Sequence, residues 1–349
     1  MNHILRFIIS NIPPFGRAWK GFVLFLSLPI LFSSCVDEHE YPDNPQGNFE
    51  ALWKIMDEHY CFFQEKGVDW DVIHATYAKQ MDAQMTDEQL LEVFANMLST
   101  LRDGHVNLYT SFDQARYWTF HEAYPSNYSD TLVTRYLGTD YKIANGMRYR
   151  ILDDNIGYLR CPTFQNDFGS GNLDAILLYL QPCRGLIIDV RDNGGGLITA
   201  AEQLAARFTN EKILVGYMRH KTGKGHNDFS SMEEQTLQPA KGLRWQKPVV
   251  VLTNRAVFSA ANEFVKYMKC CPQVTIVGDQ TGGGAGMPFS SELPNGWSVR
   301  FSACPMYDCN RQSTEDGIKP DIQVSMTTQD FLKNEDTIIE RARRQLAKE

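Results

Sequence analysis

The stretch "TNRAVFSAANEF", Thr253 to Phe264, sets one serine, Ser259, between a bulky apolar run and a helical pattern. Its hydroxyl can cap the helix by accepting from an orphan backbone N–H, the ordinary use of a serine in this setting. It can also be a nucleophile, but only if a base, an orienting acid and an oxyanion site come from elsewhere in the chain. Two glycine-rich loops, "DVRDNGGGL" and "GDQTGGGAGMP", are candidates for the last of these. Neither is a phosphate loop: there is no G-x-G-x-x-G, and no Lys-Ser/Thr to reach a nucleotide phosphate and its metal. Glycines at a strand-to-helix turn instead let the backbone approach a ligand closely and aim its N–H groups at a developing negative charge. There is no H-E-x-x-H, and His220 and His226 fall in the polar loop "RHKTGKGHND", which reads as solvent-exposed; neither metal nor cofactor is expected.

The elements that would position such a site can be read from composition and periodicity. With 349 residues, 43% hydrophobic and 22% charged, the chain is globular in make-up, large enough for one big core or a core plus a smaller helical piece. A formal charge of −8, more negative once Arg6, Arg17 and Lys20 are removed with the N-terminus, argues against nucleic acid as a partner. Residues 1–35 read as a secretory signal: a basic leader, the apolar run "GFVLFLSLPILF", then "SSC". That run is short of the roughly 20 apolar residues a membrane-spanning helix needs. The small residues before Cys35 resemble a bacterial lipobox, with Phe32 where leucine is usual. The resemblance implies a lipidated Cys35 as mature N-terminus, membrane attachment through it, and a place on a Gram-negative outer membrane, on the periplasmic side or at the cell surface. Asp37 and Glu38 resemble surface-export signals, and residues 36–48 read as a tether.

Beyond Cys35 there are seven cysteines, Cys61, Cys161, Cys183, Cys270, Cys271, Cys304 and Cys309, an odd number without a paired C-x-x-C pattern. They read as buried free thiols, with a Cys304–Cys309 bridge left open. Residues 49–108 carry helical spacing, as in Leu52, Ile55, Met56 and Tyr60, and again in Leu90, Leu91, Phe94 and Leu98. Residues 109–155 read as β-rich, with strands at "TLVTRYL" and "YKIANGMRYRIL" and a tight turn at Asn145-Gly146. From 156 to 349 strands and helices alternate, which predicts an α/β core with largely parallel strands and crossover helices, closed by a mostly exposed helix at "TIIERARRQLAKE".

Four motifs, "LRDGHVNL", "GLIIDVRDNGGGL", "VVVLTNRAVFSAANEF" followed by "IVGDQTGGG", and "EDGIKPDIQV", resemble in order and rough spacing the serine peptidases that include the C-terminal processing peptidases and the tricorn protease core. The resemblance runs from about Phe49 to Val324 and implies a crotonase-like ββα spiral core preceded by a small N-terminal helical region. It makes Ser259 the nucleophile. The processing branch takes its base from a lysine in a "T-x-G-K-G" loop, and Gly284 stands at that place in "TGGGAG". The tricorn-like branch uses a histidine of the first motif, which falls on His105; tricorn's preceding serine is replaced by Gly104. The "EDG" segment offers Glu315 to orient the base, with Asp316 as substitute, and the oxyanion donors by analogy are the N–H groups of Gly195 and Ala260.

On this reading a neutral imidazole within about 3 Å takes the serine proton and returns it to the leaving amine, while the carboxylate fixes its tautomer. Asp189 and Arg191 read as structural strand-end residues, Asp321 as a turn residue, and Glu263 as a surface or capping side chain. The expected activity is peptide-bond hydrolysis through an acyl-enzyme, on a peptide or protein substrate. The alternative is a catalytically silent binding module on the same fold. An α/β-hydrolase is disfavoured, because "V-F-S-A-A" is no G-x-S-x-G elbow and the histidine precedes the serine. Processing peptidases often carry a PDZ module after the first motif, and the interval from Tyr109 to Ile156 is too short for a complete one.

Overall fold

The computed structural model describes residues 41–348; the expected signal segment and the lipidated Cys35 lie outside them. The tether is shorter than the sequence suggested. A helix, Pro45–His59, already starts inside it, with Asn44 accepting from the Gly47 N–H at 2.8 Å and Pro45 at the first position, where its missing N–H costs nothing.

Two sheets organise the rest. The larger has seven strands in the order Ile322–Gln323, Val274–Gly278, Val249–Thr253, Gly185–Asp189, Ile156–Arg160, Met147–Ile151 and Lys142–Ala144. The first five run parallel, and the last two are added antiparallel. Its central strands, "VVVLT" and "GLIID", are buried at every position. Continuous apolar runs of this kind belong to parallel sheets covered on both faces. Helices Ser170–Leu180, Ile198–Ala205 and Ala260–Lys269 supply one covering core, with Phe164, Leu177, Leu204 and Phe264 among its members. Helices Asp130–Leu137 and Thr337–Leu346 supply the other, through Val133, Leu137, Ile338, Ile339 and Ala342.

The smaller sheet has six antiparallel strands, centred on Ser298–Tyr307, and packs against the N-terminal helices through Phe49, Leu52, Phe94, Leu108 and Phe301. Its strand Asn107–Tyr109 follows the first motif directly and pairs with Ser298–Tyr307. The segment between Leu101 and Leu108 therefore links the N-terminal helices to the smaller sheet, and both of those residues lie in their shared core.

Two local expectations change. "TLVTRYL" is a helix, Asp130–Leu137, not a strand: Ser129 caps it, and Leu132, Val133 and Leu137 fall on one buried helical face. Its β-branched Thr and Val had suggested a strand, but tertiary packing on one face outweighs that small propensity. The closing helix is less exposed than expected, since Ile338, Ile339, Ala342 and Leu346 are buried. The Asn145-Gly146 turn is as read, with φ of 46° and 80° joining Lys142–Ala144 to Met147–Ile151. Among the described residues the cysteines are free, and the Cys309 thiol faces Cys270 rather than Cys304.

Candidate active site

Ser259 stands at the N-terminus of helix Ala260–Lys269, yet its side chain does not cap it. The hydroxyl is turned instead to His105, whose Nε2 lies 3.0 Å from Oγ. The backbone explains the choice. Ser259 has φ 58° and ψ −125°, a conformation that side chains other than glycine's rarely adopt. Neighbouring strand ends hold it there: Phe258 N–H donates to the Asn193 carbonyl at 3.1 Å, and Ser259 N–H to the Gly283 carbonyl at 2.9 Å. The sharp turn lifts Oγ out of reach of the helix N–H groups and aims it at the histidine.

His105 is 4% exposed and its ring packs tilted on Phe258, centroids 4.7 Å apart. Burial lowers its pKa from 6.5 to about 4; the Asp103 charge opposes the shift, while Arg300 and Lys66 add to it. The imidazole is thus neutral near pH 7, the form able to accept a proton. Phe258 in turn stacks on Phe120, 4.4 Å between centroids. These two rings occupy the space on which both branch-specific residues of the resemblance would depend. A Cβ on Gly104 would lie 2.6 Å from Phe120 and 2.8 Å from Phe258, and one on Gly284 would lie 2.4 Å from the Phe258 ring. Neither tricorn's serine nor a processing-type lysine fits without displacing an aromatic ring.

The acid behind the base is not arranged as expected. Glu315 is buried, but it receives Lys66 Nζ at 3.0 Å and the Ala285 N–H at 2.9 Å, and it makes no hydrogen bond to His105. The Nδ1 of His105 is buried without a hydrogen-bond partner among the described residues. The Ala285 N–H and the Lys66 ammonium hold the Glu315 carboxylate, while the Gly284 N–H donates to the Glu315 backbone carbonyl. Burial and the nearby Asp103 charge raise the Glu315 pKa to about 8, against the pull of Lys66 and the Ala285 N–H. Asp316, the substitute, turns its carbonyl to Gln280 Nε2 on the exposed side. The carboxylate that does reach His105 is Asp103. Its Oδ1 accepts from the His105 backbone N–H at 2.7 Å, its Oδ2 from the Ser302 hydroxyl at 2.8 Å, and its charge favours the protonated ring.

The oxyanion donors also need one correction. Among the described residues the Ala260 N–H, first in its helix and directly after Ser259, has no hydrogen-bond partner, and the helix dipole there favours negative charge. The Gly195 N–H, however, donates to Asn193 Oδ1 at 2.9 Å and is not free. Gly195 serves by closeness instead: at φ 97°, a Cβ on it would lie 2.9 Å from both Ser259 Cβ and the Ala260 nitrogen. Its neighbours Gly194 and Gly196 line the cleft over Ser259, and among the described residues their N–H groups have no hydrogen-bond partner. Asn254 ties this loop to the next, accepting from the Asp192 N–H at 3.0 Å and donating to Asp192 Oδ1 at 2.6 Å.

A cleft of about 540 Å³ opens over Ser259, walled by Asn107, Tyr109, Gln114 and Arg300 on one side and by Gln165 and Asp192 on another. Phe120 and Phe258 also line a second cavity, about 550 Å³, which contains Lys66 and Glu315. The remaining assignments fall as follows. Asp189 and Arg191 are fully buried partners at the strand end, as read, and Asp321 accepts from the Ile276 N–H at 2.8 Å. Glu263 is no surface residue: it is wholly buried, 2.5 Å from Lys266, because its helix is covered by Ile198–Ala205 and strand Ile213–Met218. His220 and His226 each meet a carboxylate, Glu233 at 2.9 Å and Asp57 at 2.6 Å. Lys66, Asp103, Phe120 and Arg300 were not singled out from sequence. Of these only Asp103, two residues before His105 in a quoted motif, carried a local signal.

Known proteins resemble this chain in sequence and fold. The description "Peptidase family S41" matches residues 155–324, and "Tricorn protease C1 domain" matches residues 41–99. A crystal structure of a candidate peptidase from Parabacteroides merdae is 51% identical, covers 87% of this chain and 97% of its own, and superposes with a TM-score of 0.84. Mature CPAF, 14% identical over 87% of this chain and 96% of its own, shares the fold with a TM-score of 0.66. The carboxy-terminal processing protease CtpA of Bacillus subtilis is 24% identical over 176 residues, half of this chain. The match spans only 36% of that relative's length.

Proposed function

The chain belongs to peptidase family S41, and on that premise we propose that it is a serine-type peptidase acting through an acyl-enzyme at Ser259 with His105, not a lysine, as base. The observation that carries this is the 3.0 Å approach of a neutral, buried imidazole to a serine hydroxyl withheld from helix capping. As Oγ bonds to the substrate carbonyl carbon, its proton passes to Nε2 and the carbonyl π pair moves onto oxygen. The Ala260 N–H and that of Gly194 or Gly196 receive this charge; loss of one such donor typically costs about 3 kcal/mol. Collapse breaks the C–N bond as Nε2–H protonates the amine, and water repeats the sequence to free Ser259. Asp103 holds the histidine backbone and offsets the imidazolium charge; Glu315 acts one step behind, through Lys66 and the turn at Ala285.

The same reading includes a crotonase-like spiral core, a peptide or protein substrate, and a lipoprotein exported through its N-terminal signal and anchored at Cys35 to a Gram-negative outer membrane. Labelling with a serine-directed fluorophosphonate tests the centre. Folded wild type is expected to label, Ser259→Ala not at all, and His105→Ala far more slowly. A folded wild type that does not label would instead favour the silent binding module. Mass spectrometry of the mature N-terminus tests the anchor: an unmodified residue other than Cys35 removes it.

A further inference from the structure

Arg300 lies on strand Ser298–Tyr307, opposite Asn107 in the register, and its side chain enters the cleft that holds Ser259 and His105. It is half-buried, yet among the described residues its guanidinium makes no hydrogen bond, ion pair or ring contact. Other arginines buried to a comparable degree have partners: Arg150 reaches Asp140 at 3.3 Å, Arg255 Asp279 at 3.8 Å and Arg343 Asp154 at 2.8 Å, while Arg219 donates to the Ser230 carbonyl and Arg341 to Gln345 Oε1. The cleft's own acid, Asp192, is engaged by Asn254. Arg116, which also pairs with Asn107 in the register, stacks on Trp118, 3.7 Å from its ring. A planar five-donor cation kept unpaired beside the reacting serine is complementary to a carboxylate, which it can grip with two parallel hydrogen bonds.

Building on the peptidase reading, we propose that Arg300 is a specificity-determining residue that selects substrates bearing a carboxylate next to the scissile bond. That carboxylate is either an acidic side chain or a free C-terminus. A bound peptide lacking it leaves the guanidinium partly desolvated and unpaired, and this penalty discriminates against neutral substrates.

The test is protection of Ser259 from fluorophosphonate labelling by three mixtures of N-acetylated tetrapeptides. One is neutral with an amidated C-terminus, one carries a single Glu and an amide, and one is neutral with a free carboxylate. At least one carboxylate mixture is expected to protect the wild type at a concentration about tenfold or more below its neutral twin, and which one does so identifies the source. Arg300→Gln is expected to lose that difference while still being labelled, and Arg300→Lys to keep part of it as a point charge. Equal protection by all three mixtures, or a carboxylate preference that survives in Arg300→Gln, overturns the assignment. A wild type that fails to label sinks the nucleophile reading itself, and is told apart from both of those results by the absence of any signal to protect.

Discussion

Two buried clusters of charge in this chain are built to opposite standards. At the end of strand Gly185–Asp189, Arg191 gives Nε and Nη2 to Asp189 at 3.0 and 2.7 Å and Nη1 to Asp336 at 2.9 Å. Tyr158 adds its hydroxyl to Asp189 at 2.7 Å, and Asp336 uses its remaining capacity to cap helix Thr337–Leu346. Each of these groups has its partners. Around His105 the accounts stay open: among the described residues Nδ1 has no hydrogen-bond partner, Ala260 N–H has none, and two carboxylates, Asp103 and Glu315, stand near one lysine. A saturated buried network fixes a fold, whereas unsatisfied groups at a cleft are held for a ligand.

This contrast can be broken at either end. The largest effect is expected from Arg191→Met, which strands Asp189 and Asp336 in the core: about 3–5 kcal/mol of stability lost in denaturant unfolding, by analogy with other half-removed buried pairs. A loss below about 1 kcal/mol would mean that the cluster is dispensable. Next comes pH. Since the His105 pKa is lowered to about 4 in the folded state, the unfolded chain binds a proton that the native one refuses between pH 6.5 and 4. Stability should therefore fall as pH drops through that window, by up to about 3 kcal/mol from this group. In His105→Gln this part of the pH dependence should vanish. The acid limb of kcat/KM should likewise lie near pH 4, and should rise in Arg300→Gln, whose charge helps depress the imidazole; a limb fixed at 6.5 in both would remove the buried base.

Asp103→Asn keeps an acceptor for the His105 N–H but loses the charge. A fall in kcat/KM on the order of 10²-fold is expected with little loss of stability, a magnitude ordinary for general-base partners. If Glu315→Gln costs more than Asp103→Asn in the same assay, the two acids have been assigned in the wrong order. The smallest effect concerns Ser259 itself. With φ at 58°, Ser259→Gly should be more stable than Ser259→Ala by roughly 1 kcal/mol, both being inactive, because glycine alone occupies that conformation without strain. Equal midpoints in thermal unfolding would show that the turn is relaxed.

The parallel core was legible because burial on both faces leaves uninterrupted apolar strands such as "VVVLT", and the hairpin because Asn145-Gly146 demands positive φ. Ser259 and His105 were found through motifs 154 positions apart, and the structure joins them. What could not be read was anything set by side chains meeting across elements. Lys66 looks like any helical lysine until the fold lays it against Glu315. Arg300 occupies an ordinary strand position whose importance lies in what fails to approach it. Gly195 was misassigned as a donor for a related reason: the Asn193 side chain folds back on its own loop, a contact no spacing rule announces.

The Phe258 ring carries a historical consequence. It fills the volume that a side chain at Gly284 would need while supporting the His105 imidazole. Exchange of one catalytic base for the other is therefore closed to single substitutions. Gly284→Lys alone meets the ring, and a smaller residue at 258 alone removes the histidine's support. On the proposed mechanism, a route between the two chemistries would have to change both positions together, so a single aromatic side chain locks the site to one of them.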